Sequence, residues 1–143
     1  MRRNTKLPAS TIIGYTPHVF TYEPNIALAQ TIPASWYTDP AMLVEERRKV
    51  FGRSWQFAAA LEDLPTNGSY TAVDVVGVPV VLTRDTSGEL RAFYNVCRHR
   101  AGVVARGKGE RKTLQCAYHA WTYGLDGCLR STPEFEGVEN FDK

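Results

Sequence analysis

The chain has 143 residues, 43% of them hydrophobic and 22% charged, which suits one globular domain with a modest core rather than a disordered segment. Its formal net charge of +2 is too small to argue for nucleic acid, and no apolar run approaches the roughly 20 residues of a membrane helix. Three cysteines, Cys97, Cys116 and Cys128, are too few, and odd in number, for a secreted disulfide scaffold. Arg2-Arg3 leads into no continuous apolar stretch, so the start is not an export signal and the chain reads as soluble and cytoplasmic.

Residues 1–33 show no clear period, and Pro8, Pro17, Pro24 and Pro33 recur through them. They are expected to form an extended arm. Residues 34–54 read as a helical lead-in. Asp39 is a good N-cap, Pro40 suits the first helical position and Gly52 is a natural stop. Glu45 and Glu46 precede Arg47, Arg48 and Lys49, which matches the helix dipole. Leu43, Val50 and Phe51, with Ser54 and Trp55 following, give an apolar side, so this helix is expected to pack rather than act.

Residues 55–143 carry strand signals. Trp55–Ala60 is a short apolar run, and Leu64-Pro65-Thr66-Asn67-Gly68 is a turn cluster. Ser69–Val76 alternates, with Tyr70, Ala72 and Asp74 on one side. Val78–Thr83 and Leu90–Val96 are further strands, joined by the hairpin loop Asp85-Thr86-Ser87-Gly88. Thr113–Cys116, Trp121–Tyr123 and Cys128–Arg130 are short strands, the last two separated by the turn Gly124-Leu125-Asp126-Gly127. Cys128 is expected to be a packed strand residue. The spacing predicts a mainly β fold, an antiparallel barrel or sandwich with a short N-terminal helix. The chain ends at Lys143 without a clear final element, which reads as a cut.

Two compact stretches carry the chemistry. Cys97-Arg98-His99 is followed, after sixteen residues, by Cys116-Ala117-Tyr118-His119. Each offers one thiolate and one imidazole. Two such pairs can hold a 2Fe-2S cluster unequally, both cysteines on one iron and both histidines on the other, which is the Rieske arrangement. Two ferric ions, two sulfides and two thiolates sum to zero charge, and neutral imidazoles add none. Such a centre accepts an electron more readily than an all-cysteine one. The outer imidazole nitrogens stay available to donate or lose a proton. A structural zinc site on the same four residues is the rival, although zinc sites usually pair cysteine with cysteine and histidine with histidine. From Cys97 to Lys112 six basic residues, Arg98, Arg100, Arg106, Lys108, Arg111 and Lys112, face one acid, Glu110. That segment could dock an acidic donor or be a solvated loop.

Cys97-Arg98-His99-Arg100, the interval to Cys116, and Cys-x-x-His-x-Trp-x-Tyr resemble the Rieske domain of ring-hydroxylating oxygenases. Ser35-Trp36-Tyr37-Thr38-Asp39-Pro40 and Ser54-Trp55-Gln56 are similar to the N-terminal region of their large subunit, closest to the branch containing choline monooxygenase and related enzymes of quaternary amines. The resemblance covers about residues 33–143. It implies that Cys97 and Cys116 bind one iron, that His99 and His119 bind the other, and that Trp121 packs beside the cluster. It implies a reductase or ferredoxin as donor and a mononuclear-iron oxygenase domain or subunit as acceptor, with room for a homo-oligomer. Rieske proteins of respiratory chains carry an extra disulfide, at places that correspond here to Gly102 and Tyr118, and a serine donor where this chain has Trp121. Fewer donors to sulfur imply a potential nearer ~−150 mV than +300 mV. Two alanines, Ala101 and Ala120, replace glycines common in the family. If Ala120 requires a positive φ, its loop is strained.

A mononuclear iron site needs two histidines and a carboxylate. Outside the two loops the chain has one histidine, His18. The expectation is therefore the electron-relay part of a mono- or dioxygenase, which alone oxygenates nothing. A freestanding Rieske ferredoxin and a zinc-stabilised binding module are the alternatives; the helical lead-in favours the oxygenase over the ferredoxin.

Overall fold

Asp39 opens the helix that the sequence marks out. In a computed structural model, which describes residues 20–141, the Ala41 N–H donates to Asp39 Oδ1 at 2.9 Å and helix α1 runs Pro40–Lys49. Arg47, Arg48 and Lys49 fill its last turn. The helix stops three residues before Gly52, and none of its residues is buried. Of the expected apolar side, Leu43 and Val50 are exposed and Phe51 is half-buried, because the helix has too few apolar positions to form a continuous stripe. Gly52 lies instead in the 3-10 turn Phe51–Arg53, where a Cβ would sit 2.8 Å from the Arg47 carbonyl oxygen. Its use is close approach.

The chain divides between Glu46 and Arg47 into two units. In the first, Trp36 of the 3-10 turn Ala34–Tyr37 meets the Phe20 ring edge-on, centroids 5.8 Å apart. Residues 21–31 are exposed, with one turn closed by Leu28 N–H on Asn25 O at 2.9 Å. Expectations for residues 1–19, which include most of the arm and His18, lie outside the described residues.

The second unit is antiparallel β. Strands β1 (Ser69–Val75), β2 (Val78–Arg84), β3 (Leu90–Tyr94) and β4 (Lys108–Glu110) form one sheet in the order β3-β2-β1-β4. Strands β5 (Thr113–Gln115), β6 (Thr122–Gly124) and β7 (Leu129–Ser131) form a second, in the order β5-β6-β7. The sheets are separate, so the fold is not a closed barrel. β1 and β2 meet through Val76-Gly77, both at positive φ (56° and 84°), a two-residue hairpin turn that matches strand twist. Asp74 Oδ1 accepts the Gly77 N–H at 2.6 Å.

Between β2 and β3 the Asp85 carboxylate organises the predicted loop. It accepts the N–H groups of Ser87 and Glu89, the Ser87 hydroxyl, and Arg91 Nε at 2.8 Å. The Ser87 hydroxyl and the Arg91 guanidinium hold this carboxyl well below the usual carboxylate range, against the opposing effect of burial.

Tyr70, Val81, Ala105, Leu114 and Leu125 form a core to which both sheets contribute. Thr83, fully buried, donates from Oγ1 to the Leu125 carbonyl at 2.8 Å and ties β2 to the β6–β7 turn. Gly127 in that turn lies against Phe93, so close that an added Cβ would sit 2.4 Å from the ring. Trp55–Ala60 is not a strand. It runs as irregular chain with Trp55 102% and Phe57 82% exposed, because no neighbouring strand takes up its backbone groups.

Candidate cluster-binding site

The two Cys/His stretches are closed in the same way. In the first loop the Cys97 N–H donates to Gly102 O at 2.7 Å and the Ala101 N–H to Cys97 O at 3.0 Å. In the second, the Cys116 N–H donates to Trp121 O at 2.9 Å and the Ala120 N–H to Cys116 O at 3.0 Å. The fifth residue of each loop is the alanine, and both alanines have φ 56°. The left-handed conformation is thus present in both loops, not only at Ala120, at a cost of about 1–2 kcal/mol per alanine.

Strand β3 delivers the first loop, and β5 and β6 carry the second between them. Asn95, buried just before Cys97, fixes the far side of the first loop. Its Nδ2 donates to Ala105 O at 2.8 Å, and its Oδ1 accepts Val104 N–H at 3.1 Å and Ala105 N–H at 2.9 Å. The loops meet at Gly102. A Cβ there would lie 3.0 Å from Cys116 Sγ and 3.5 Å from the Tyr118 Cβ. The second distance is an ordinary van der Waals contact, so the two loops pack directly against one another there.

Cys97 and Cys116 are buried together with Trp121 and Tyr123, and Phe135 and Phe141 pack against this group. The His99 and His119 rings lie 4.6 Å apart at 66°. His99 stacks on Trp121 at 4.7 Å and 8°, with Phe135 edge-on at 6.1 Å. Tyr118 lies against His119 at 3.8 Å. The four predicted ligand residues are thus brought to one place, and Trp121 is beside them as expected. Cys128 is not. It is exposed in the turn before β7, and its N–H donates to Asp126 Oδ1 at 3.1 Å, so the expectation of a packed strand residue is corrected.

Tyr123, the last residue of the Cys-x-x-His-x-Trp-x-Tyr stretch, has a place in the site that the sequence reading did not assign. Its hydroxyl accepts the Arg98 N–H at 3.0 Å and lies 3.2 Å from Cys97 Sγ, to which it donates. The available sign in the sequence was the alternation Trp121-x-Tyr123 at the entry to β6, a spacing that turns both side chains to one side. Burial pushes the Cys97 thiol up, but the Tyr123 hydroxyl, the backbone N–H groups of His99 and Arg100, and Cys116 outweigh it and favour the thiolate. Burial and the neighbouring thiolate push Tyr123 up to about 12, so it stays protonated and able to donate. Burial, then the neighbouring His119 and Arg100, lower His99 and favour neutral imidazole.

These residues fit a two-iron cluster. His99 Nδ1 is buried with no hydrogen-bond partner, an arrangement that costs free energy unless something else binds it. Two buried sulfurs, one favoured as thiolate, and two imidazoles make the donor set. Among the described residues no three His, Cys, Asp or Glu side chains converge on a single ion. A two-iron cluster asks the chain for only two ligands per iron, its sulfides supplying the rest. No helix among the described residues is long and apolar enough to cross a membrane.

The sequence profile of the Rieske [2Fe-2S] domain matches residues 54–142. Choline monooxygenase of Beta vulgaris, a chloroplastic protein, is 37% identical over 87% of this chain and 28% of its own length. The carnitine monooxygenase oxygenase subunit of Escherichia coli K12 is 41% identical over 80% of this chain and 31% of its own. Among solved structures, the quaternary ammonium Rieske monooxygenase CntA superposes with a TM-score of 0.74 and 37% identity, over 80% of this chain and 32% of that one. Naphthalene 1,2-dioxygenase from Rhodococcus gives 0.69 and 34%, over 74% and 24%. The chain thus spans about a third or less of the proteins it matches. By its profile, its relatives and its paired loops, it belongs to the Rieske [2Fe-2S] domain family, whose cofactor is a Rieske-type 2Fe-2S cluster.

Proposed function

We propose that Cys97 and Cys116 hold one iron of the cluster and His99 and His119 the other, and that the chain is the electron-relay part of a Rieske oxygenase. The observation that carries this is the pair of identically closed loops, which face two buried cysteines and two half-buried imidazoles towards each other. When bound, the cluster takes up and releases one electron at a time. The chain's own residues set the conditions. Tyr123 donates to the Cys97 sulfur, and Trp121 with Phe135 shields the His99 ring from water. Burial keeps the imidazole neutral and able to bind metal.

In this reading residues 34–54 are a helical lead-in to the Rieske domain of 55–143, and of the arm expected over 1–33 only residues 20–33 are described. A reductase or ferredoxin donates electrons. A mononuclear iron, in the part of the longer relatives that this chain does not span or in a neighbouring subunit, accepts them. The relatives named for choline and carnitine support a monooxygenase of quaternary amines over a ring-hydroxylating dioxygenase. The structure of CntA is described as revealing inter-subunit electron transfer, which supports a homo-oligomer here. Thiolates free to bind iron suit the cytoplasm.

A reconstitution test separates this reading from a freestanding ferredoxin. The loaded chain, reduced by a reductase, is mixed with a complete oxygenase freed of its own reductant supply. A relay part is expected to leave that oxygenase idle, whereas sustained turnover would establish a diffusible carrier. Given reductase, oxygen and a quaternary amine, the isolated chain is expected to form no product. Product formation would overturn the assignment of the oxygenation site to another domain.

A further inference from the structure

We propose that the cleft between Arg106 and Arg111 is where an acidic electron-donor protein docks. The inference rests on the electron-relay reading and deepens it. The cleft, about 170 Å³, opens beside both ligand loops: Val103, next after Gly102, lines one wall, and Ala117, next after Cys116, lines another. Its only charged lining residues are the two arginines.

The cleft is held from below by Tyr70, which is buried. The Tyr70 hydroxyl donates to the Arg106 carbonyl at 3.4 Å, and its ring lies under the Arg111 guanidinium, 5.9 Å from centroid to Cζ. The Arg111 N–H donates to Gly68 O at 2.9 Å. Both arginines are exposed, and neither forms an ion pair among the described residues. Lys108, between them in sequence, is already matched to Asp63 at 2.9 Å. Two guanidinium groups beside the cluster loops therefore await carboxylates from outside, and their planar donor forks suit that group.

The chemistry favours the donor over the acceptor as occupant. An acceptor in the same assembly is held by the covalent chain or by subunit contacts. A donor arrives by diffusion, and steering of diffusional encounter is what exposed charge accelerates. A partner seated here meets Val103, next after the first loop, and Ala117 within the second.

The test is the rate at which a reduced plant-type ferredoxin, an acidic carrier whose potential lies below that of Rieske centres, reduces the reconstituted 143-residue chain in stopped flow. EPR of each preparation first confirms the cluster, so that failure of the relay reading shows there as a missing signal. The wild-type rate is expected to fall as KCl rises. The double variant Arg106→Glu with Arg111→Glu is expected to be about tenfold slower or more at low salt, with a flatter salt dependence. Its EPR signal and its reduction by dithionite are expected to match the wild type. Arg53→Glu, half of that charge change and outside the cleft, is expected to leave the rate within about twofold. Calorimetric binding of the oxidised ferredoxin to the apo chain is expected to rank the variants in the same order without needing the cluster. A double variant that binds and reacts like the wild type overturns the proposal, as does a loss confined to Arg98→Glu and Arg100→Glu, which would move docking to the tip of the first loop.

Discussion

The Tyr123 hydroxyl accepts the Arg98 N–H and donates to the Cys97 sulfur. A donor to sulfur strengthens as negative charge grows, so it favours the reduced cluster. Tyr123→Phe is therefore expected to lower the midpoint potential. A bond worth about 1–1.5 kcal/mol more in the reduced state corresponds to about 40–65 mV for one electron. A redox titration followed by circular dichroism checks this, and an unchanged potential would mean that the bond does not discriminate between oxidation states. The alanines give a second prediction. Ala101→Gly and Ala120→Gly each relieve a φ of 56°, and after allowance for the extra freedom of unfolded glycine each should raise the stability of the apo chain by about 0.5–1 kcal/mol in denaturant. At this scale the four candidate ligand residues were legible because each Cys/His pair is local in sequence. Tyr123 was harder to read, since its partner Cys97 lies 26 residues away and only folding joins them.

Two short segments are each held by one side chain, Asn95 and Asp85. Asn95 satisfies three backbone groups of Val104 and Ala105 and so closes the base of the first loop. Asn95→Ala leaves these groups without partners and should cost about 2–4 kcal/mol and much of the bound iron. Asn95→Asp, which keeps the acceptor, should lose less, and urea titration with iron analysis separates the two. The Asp85 loop predicts a pH dependence. Its carboxyl titrates lower in the folded chain than in the unfolded one, so its stabilisation is complete above the ordinary carboxylate value of about 3.9 and is lost as pH falls below that towards the folded value. Asp85→Asn should flatten this acid-side loss, as read from denaturation midpoints across acid pH. The long strands and the Asp39 cap were legible because alternation and capping are local. Strand β4 was not, since Lys108-Gly109-Glu110 is exposed throughout and is a strand only because Ser69–Thr71 of β1 pairs with it. Trp55–Ala60 misled for the converse reason: an apolar run with no pairing partner.

Across the whole molecule, one sheet brings the first loop and the other brings the second, and the joint between sheets sets their spacing. Thr83 on Leu125 and Phe93 against Gly127 form that joint. Composition and strand spacing made the β class legible, whereas the split into a four-stranded and a three-stranded sheet depends on pairings between distant residues that no local pattern carries. The central claim is that this joint presents two cysteines and two histidines to one 2Fe-2S cluster. The most direct measurement is iron and sulfide analysis of anaerobically reconstituted protein together with EPR after dithionite, on the wild type and on His119→Ala. Two irons and two sulfides per chain are expected, with a rhombic signal of low average g in the wild type and loss of that signal in the variant. A colourless protein that binds one zinc and takes up no cluster, or a rhombic signal that survives His119→Ala, would contradict it.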